Sequence, residues 1–237
     1  IGFILSVILG TILIPILKKF KFSQRLSIYL SDAHKKKSGT PTMGGFIFII
    51  PTLITTMLLF ILNKIHFSYN FLIIIFTFIS YAIIGFIDDF LIIKRNNNNG
   101  LSEKTKLILQ TIVAIIFFYL FMKAGNEPLI WIHTLGIKWH IGWFYGVFIL
   151  FILVASSNAV NLTDGLDGLA GGLSFLAFIT FGIICFNTGW LDGYIEMALF
   201  CFILAGSLLG FLVFNVSPAK VFMGDTGSLC LGATLGS

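Results

Sequence analysis

Residues 65–87 read IHFSYNFLIIIFTFISYAIIGFI without a single Asp, Glu, Lys or Arg, and two adjacent aspartates follow them directly. A transmembrane helix needs about 20 apolar residues to cross the hydrocarbon core, so this stretch predicts a membrane span with a charged end. The whole chain agrees with this interpretation, because 57% of its 237 residues are hydrophobic and only 11% are charged. A soluble domain carries about 25% charged residues. The composition therefore excludes an ordinary soluble domain, a disordered chain and a disulfide scaffold.

Other charge-free stretches extend the pattern over the whole chain. We predict an all-α, polytopic integral membrane protein, with seven spans and the start of an eighth in a single transmembrane domain over residues 1–237. The charge-free stretches are 1–17, 38–63, 65–87, 107–122, 139–163, 168–191, 197–219 and 226–237.

The lysines and arginines predict the orientation. If the connections alternate sides, one side holds Lys18, Lys19, Lys21, Arg25, Lys35, Lys36, Lys37, Lys94, Arg95, Lys104, Lys106 and Lys220, and the other holds Lys64, Lys123 and Lys138. The positive-inside rule places the larger group in the cytoplasm and the N-terminus outside. The net charge of +5 comes from few basic residues in an apolar chain, so we expect no nucleic-acid partner.

Acidic residues gather where apolar stretches end. Asp88 and Asp89 are adjacent in GFIDDF (85–90), and two carboxylates so close either raise a pKa or require a cation. A carboxylate at this depth is costly, and its default interpretation is functional.

Two further acidic clusters fall on the same predicted side. Asn161, Asp164 and Asp167 are three residues apart, so on a helix they share a broad face. Asp225 lies among Gly, Thr and Ser residues that can present backbone N–H groups to an anion. Polar motifs on one membrane face predict an interfacial site for a magnesium-bound phosphate ester. An ion-coupled transporter is the alternative from another class, but it would place such acids near mid-membrane depth.

Five motifs together resemble the phospho-N-acetylmuramoyl-pentapeptide transferase family of bacteria. They are SGTPTMGG (38–45), GFIDDF (85–90), GLSEKTK (100–106), NAVNLTDGLDGLAGG (158–172) and FNVSPAKVFMGDTGS (214–228). The resemblance implies transfer of phospho-MurNAc-pentapeptide from its UDP carrier to undecaprenyl phosphate, which gives lipid I and UMP. It also implies ten helices, a magnesium cofactor, a homodimer, and an active site at the cytoplasmic face of the bacterial inner membrane.

The resemblance also implies roles for individual residues. Asp88 and Asp89 match the catalytic pair, with Asp89 the better candidate to act on the lipid phosphate, and Asp225 matches the magnesium ligand. Whether an aspartate becomes a covalent nucleophile stays open. The substrate-binding positions are Asn161, Asp164 and Asp167 in the nucleotide pocket, Asn215 and Phe222 at the nucleoside, with Phe222 stacking on uracil, and Lys37, Thr42 and Lys104 near the phosphates.

The sequence departs from the family at two places. Ile92 stands where the family carries a lysine. The family also continues with further spans and a histidine-rich motif, so we expect the sequence to be incomplete at its C-terminal end. The nearest alternative activity is transfer of N-acetylglucosamine 1-phosphate from UDP-N-acetylglucosamine to a polyprenyl phosphate.

Overall fold

The computed structural model describes residues 1–19, 40–95, 100–189 and 192–237. Over these residues the chain is built of helices, with one small β-hairpin. The helices are α1 (Gly2–Lys19), α2 (Phe46–Ile61), α3 (Tyr69–Arg95), α4 (Glu103–Lys123), α5 (Phe144–Thr163), α6 (Leu169–Thr188), α7 (Tyr194–Asn215) and α8 (Gly224–Leu235).

Six helices in the described part of the chain are long and apolar enough to cross a membrane: α1, α3, α4, α5, α6 and α7. Helix α2 is apolar but has 16 residues, and α8 has 12. The prediction of an all-α, polytopic membrane protein is confirmed, while the number of crossings and their direction stay predictions.

Helix α8 packs between α3 and α5. Glycines allow the close approach, because a Cβ atom on Gly85 of α3 would lie 2.7 Å from the Cα atom of Thr226. On the other side, a Cβ atom on Gly232 would lie 2.6 Å from the Cα atom of Ser157 on α5. Small residues at helix crossings bring backbones together in this way in membranes. The first turn of α8 is therefore held against both neighbouring helices.

A second group of helices surrounds α7, which packs against α1, α2 and α6. Most of its buried side chains are apolar, and Phe200, Leu204, Leu208 and Phe211 are fully buried. Phe200 meets Phe78 of α3 edge to face, with their ring centroids 5.4 Å apart. This contact joins the two groups of helices into one core.

Helix α3 continues past the charge-free stretch to Arg95. Asp88 and Asp89 are therefore helical residues, both buried, rather than part of a solvated connection. The helix tolerates them because each carboxylate has hydrogen-bond donors from another part of the chain.

A β-hairpin between α4 and α5 was not predicted. Strands β1 (Leu129–Ile132) and β2 (Ile137–His140) are antiparallel, and Trp131 pairs with Lys138. The Lys138 ammonium lies 4.6 Å from the centroid of the Trp131 ring. The connection is nevertheless short, so the bundle remains the frame of the molecule.

Candidate active site

Asp225 occupies the centre of a polar cluster at one end of the bundle. It lies in the first turn of α8, and the packing of α8 between α3 and α5 brings Asp88, Asp89 and Asn161 to it. The three acidic clusters predicted from the sequence are far apart along the chain, and they meet at the Asp225 carboxylate.

Lys106 supplies the cation of this cluster. Its Nζ atom lies 3.3 Å from Asp88 Oδ1 and 3.1 Å from Asp225 Oδ2. Asp88 Oδ1 also accepts a hydrogen bond of 2.8 Å from the backbone N–H of Leu101. The ammonium therefore bridges two carboxylates that would otherwise repel each other.

Sequence reasoning chose Lys104 and missed Lys106, although both belong to the GLSEKTK motif. Lys104 is exposed on α4, and the described residues give it no ion pair. The helical period could have indicated Lys106, because it shares one face of α4 with the buried residues Gln110 and Val113. Lys104 is about 200° further round the helix from Lys106.

Asp89 is held by three hydrogen bonds. Its Oδ2 atom accepts from the Thr226 N–H at 2.9 Å and from the Thr226 hydroxyl at 2.6 Å. Its Oδ1 atom accepts from the Asp225 N–H at 3.2 Å. With only 1% of its surface exposed, Asp89 fixes the N-terminal turn of α8, where a negative charge also favours the helix dipole.

Gly224 makes this contact possible. Its φ angle of +74° lies in the left-handed region, which favours glycine. A Cβ atom there would lie 2.6 Å from both Asp89 Oδ2 and Thr42 Oγ1. Thr42 is therefore buried beside the cluster, and its hydroxyl has no hydrogen-bond partner among the described residues.

The end of α5 supplies two more predicted residues. Asn161 Nδ2 donates to Asp225 Oδ1 at 2.7 Å and to Ser228 Oγ at 2.8 Å. Asp164 follows the last turn of α5, and burial raises its pKa to about 8, with further raising by the nearby carboxylates of Asp225 and Asp89. Asn161 thus orients Asp225, while Asp164 adds a carboxyl group whose charged form is disfavoured by burial and partly stabilised by a hydrogen bond from the backbone of Gly224.

Asp167 and Asn215 brace the connection that precedes α8. Asp167 Oδ2 accepts from the Ala219 N–H at 3.2 Å. Asn215 Oδ1 accepts from the Gly168 N–H at 3.1 Å, and its Nδ2 donates to the Val221 carbonyl at 2.9 Å. These side chains hold two loops of the site together.

Phe222 belongs to a backbone contact between residues 41–45 and 222–223. Its N–H donates to the Pro41 carbonyl at 2.8 Å, and its carbonyl accepts from the Gly44 N–H at 2.8 Å. Its side chain is half-buried. Lys37 lies outside the described residues.

The cluster contains the oxygen ligands that a hard divalent cation prefers, but these ligands are not arranged as a ready metal site. Asp88, Asp89, Asp164 and Asp225 provide carboxylate oxygens, the ligands that Mg²⁺ prefers, and Lys106 alone faces them as a cation in the described ranges. In those ranges, no three Asp, Glu, His or Cys side chains form a ready group of metal ligands. The ammonium of Lys106 takes the place between Asp88 and Asp225, so a metal ion on Asp225 would require this ammonium to move.

The comparisons with known proteins agree with the five motifs. A family model described as Glycosyl transferase family 4 matches residues 71–237. The phospho-N-acetylmuramoyl-pentapeptide-transferase of Clostridium novyi (strain NT) is 46% identical, and the alignment covers 100% of this chain and 71% of that protein. The proteins of the same name from Geobacillus thermodenitrificans (strain NG80-2) and Bacillus pumilus (strain SAFR-032) are 41% and 43% identical, each over 99% of this chain and 71% of the relative. The chain therefore belongs to the phospho-N-acetylmuramoyl-pentapeptide-transferase family.

Proposed function

We propose that this protein transfers phospho-MurNAc-pentapeptide from UDP-MurNAc-pentapeptide to undecaprenyl phosphate, which yields lipid I and UMP. This is the first membrane step of peptidoglycan synthesis. The observation that carries the proposal is the meeting of Asp88, Asp89, Asn161 and Lys106 around Asp225 at one end of a bundle of apolar helices. A soluble nucleotide and a lipid phosphate can both reach such a place.

The chemistry is phosphoryl transfer between two anions. An oxygen of the lipid phosphate attacks the phosphorus that carries MurNAc, and the bond from this phosphorus to the bridging oxygen of the diphosphate breaks. UMP leaves with that electron pair. Because the nucleophile is already an anion, the protein mainly has to bring the two phosphates together and offset their charge. The Lys106 ammonium would offset part of this negative charge.

Asp88 and Asp89 differ in their surroundings. Asp89 is the predicted residue for the lipid phosphate, yet its oxygens are engaged with Thr226 and the N–H of Asp225. Asp88 contacts Lys106 directly. We propose that Asp88 positions this ammonium and that Asp89 orients the turn which presents Asp225. The choice between a direct transfer and a covalent aspartyl intermediate is left to experiment.

We propose Mg²⁺ as the cofactor and Asp225 as its ligand. Bound there, Mg²⁺ would neutralise diphosphate charge and improve UMP as a leaving group. The nearness of the Asp164 and Asp89 carboxyl groups to Asp225 supports this assignment, because buried like charges favour a cation. Asn161 holds the Asp225 carboxylate in one orientation.

The substrate-binding roles expected from the family complete the proposal. Asn161, Asp164 and Asp167 would line the nucleotide pocket, and Phe222 would stack on the uracil beside Asn215. Lys37 and Thr42 would lie near the phosphates, and the lysine of α4 that faces them would be Lys106 rather than the expected Lys104. Asn215 and Asp167 fit this role because they keep the two loops at the pocket in place.

The proposed setting is the bacterial inner membrane, with the site facing the cytoplasm and the N-terminus outside. The lysine and arginine distribution supports this orientation. The charge-free stretches of the sequence support seven crossings and the start of an eighth. Because the chain belongs to this family, we propose that the protein forms a homodimer.

The test is UMP release from membranes that contain the complete natural protein. Undecaprenyl phosphate is supplied with UDP-MurNAc-pentapeptide or with UDP-N-acetylglucosamine, with and without a magnesium chelator. We expect chelator-sensitive release with the first nucleotide alone. Release with UDP-N-acetylglucosamine alone would assign the protein to the alternative activity, and no release with either, from folded protein, would refute the proposal.

A further inference from the structure

Lys106 lies where the carboxylates of Asp88 and Asp225 converge. Its Nζ atom is 3.3 Å from Asp88 Oδ1 and 3.1 Å from Asp225 Oδ2. The side chains of Lys106, Asp88 and Asp225 are only 23%, 5% and 20% exposed, so water screens their charges poorly. A metal ion on Asp225 would be attracted by the same negative charges. The ammonium and a metal ion would therefore compete for one place.

The two carboxylates are held from other directions as well. Asp225 Oδ1 accepts a hydrogen bond of 2.7 Å from Asn161 Nδ2, and Asp88 Oδ1 accepts one of 2.8 Å from the Leu101 N–H. Mg²⁺ takes oxygen ligands at about 2.0–2.1 Å, whereas the ammonium nitrogen lies about 1 Å further from these oxygens. The oxygens are thus spaced for an ammonium group, and a smaller ion would draw them closer.

Lys106 is the member of this group that can move. Its ammonium is carried on a flexible four-carbon stem, near the start of α4. A groove of about 350 Å³ between α4 and α5 borders the side chain, and Glu103 and Asn158 also line it. Glu103 lies three residues before Lys106, a spacing at which helical side chains meet. A displaced ammonium therefore has both room and a carboxylate partner beside the cluster.

We propose that Lys106 occupies the metal position of the substrate-free protein and keeps the affinity of this position for Mg²⁺ low. The inference rests on the proposed transferase function, in which Asp225 is the metal ligand. When the UDP-linked substrate enters with its metal ion, the Lys106 ammonium leaves Asp225 and pairs with the negative charge of the diphosphate. Lys106 thereby couples metal binding to substrate binding.

The experiment measures metal affinity in the absence of any nucleotide. The complete natural protein and its Lys106→Met variant are placed in nanodiscs of zwitterionic phosphatidylcholine. Free Mn²⁺, which suits the same oxygen ligands as Mg²⁺, is titrated by electron paramagnetic resonance. We expect Lys106→Met to bind Mn²⁺ at least about tenfold more tightly than wild type, because a competitor that fills the site in about nine molecules of ten weakens binding about tenfold. An equal or weaker affinity of the variant would overturn the inference.

Two further variants control for charge. Lys104→Met removes the same charge from an exposed position of α4, where solvent and salt screen it, so the affinity for Mn²⁺ should stay within about twofold of wild type. Lys106→Arg keeps a cation beside Asp225, so its affinity should stay low. If Lys104→Met gained as much affinity as Lys106→Met, the gain would reflect net charge alone, and the inference would be wrong.

Thermal unfolding gives a second measurement that a merely structural role of Lys106 would not explain. With a chelator present, Lys106→Met leaves two poorly solvated carboxylates without their cation, so it should melt below wild type. Mg²⁺ should restore most of this loss in the variant and change the melting temperature of the substrate-free wild type much less. A loss that Mg²⁺ does not reduce, or a variant that stays unfolded with Mg²⁺, would overturn the inference.

The outcomes distinguish the inference from the function on which it rests. Mn²⁺ binding and melting are measured without substrate, whereas the proposed function is tested by UMP release. If the wild type releases no UMP, the proposed function fails whatever the titration shows. If the wild type is active and Lys106→Met gains no affinity for Mn²⁺, only the inference fails.

Discussion

Replacing Gly85 by alanine should separate the two helices that form the acidic cluster. Gly85 lies on α3, where it faces the first turn of α8. A Cβ atom at this position would lie 2.7 Å from the Cα atom of Thr226 and closer still to the carbonyl of Asp225. These are backbone atoms, so no side-chain rotation can relieve the overlap.

The size of the effect follows from this distance. Carbon atoms in contact lie about 3.5–4.0 Å apart, so α3 and α8 must move apart by about 1 Å. Overpacking of this kind typically costs about 1–3 kcal/mol, and contact with backbone favours the upper end. A loss of 3 kcal/mol lowers the melting temperature by about 6–12 °C for a chain of this size. Misplacing a catalytic group by 1 Å can reduce the rate about 100-fold.

The assay measures UMP release and thermal unfolding of Gly85→Ala in the same preparation. Gly206→Ala is the matched control, since it adds the same methyl group within α7. The nearest atom of another helix to a Cβ there is the backbone nitrogen of Phe3 at 3.9 Å, an ordinary contact distance. The control should therefore keep wild-type activity and stability, and alanine is the better helix former.

Two results would refute the reasoning. If Gly85→Ala kept full activity and an unchanged melting temperature, α3 and α8 could not be packed as closely as the structure places them. If Gly206→Ala lost as much as Gly85→Ala, the loss would reflect any added methyl group rather than the contact with Asp225.

Three further predictions concern charged residues of the cluster. Lys106→Met should reduce kcat/KM for UMP release at least tenfold more than Lys104→Met, because only Lys106 contacts Asp88 and Asp225; equal losses would contradict this. Asp225→Asn should raise the magnesium concentration for half-maximal activity about tenfold or more, since it loses a charged ligand, and an unchanged magnesium titration would assign the metal elsewhere. Burial raises the pKa of Asp164 to about 8, whereas an unfolded aspartate titrates near about 3.9. The folded state therefore binds the Asp164 proton more tightly than the unfolded state does. Protonated Asp164 thus adds to the free energy of unfolding at low pH, and this contribution is lost as the pH rises from about 4 to about 8. In metal-free buffer the melting temperature of the wild type should fall over this range, and that of Asp164→Asn should fall less; equal slopes would refute the assignment.

The membrane architecture could be predicted because the hydrophobic signal is local. Each charge-free stretch is a property of consecutive residues, and the transfer of apolar side chains into lipid depends on their own surface. Every such stretch coincides with most of one helix in the structure. The sequence could not set the end of α3, because the partners of Asp88 and Asp89 that allow the helix to continue lie in other parts of the chain. The hairpin of β1 and β2 was missed for a similar reason, since a short aromatic connection has no strong helical or strand period.

The candidate site was predicted in its composition but not in its contacts. The motifs identified the acidic residues, since buried carboxylates are rare enough to indicate function. Which lysine serves them depends on the face that α4 turns toward α8, and the contact joins Lys106 to Asp225 across 119 residues. The role of Asp89 at the start of α8 likewise depends on how the helices pack. The sequence by itself determined the membrane class, the family motifs and the kind of chemistry. Only the tertiary structure decided which donor meets which acceptor, because hydrogen bonds and ion pairs depend on distances of a few ångströms between residues that are remote along the chain.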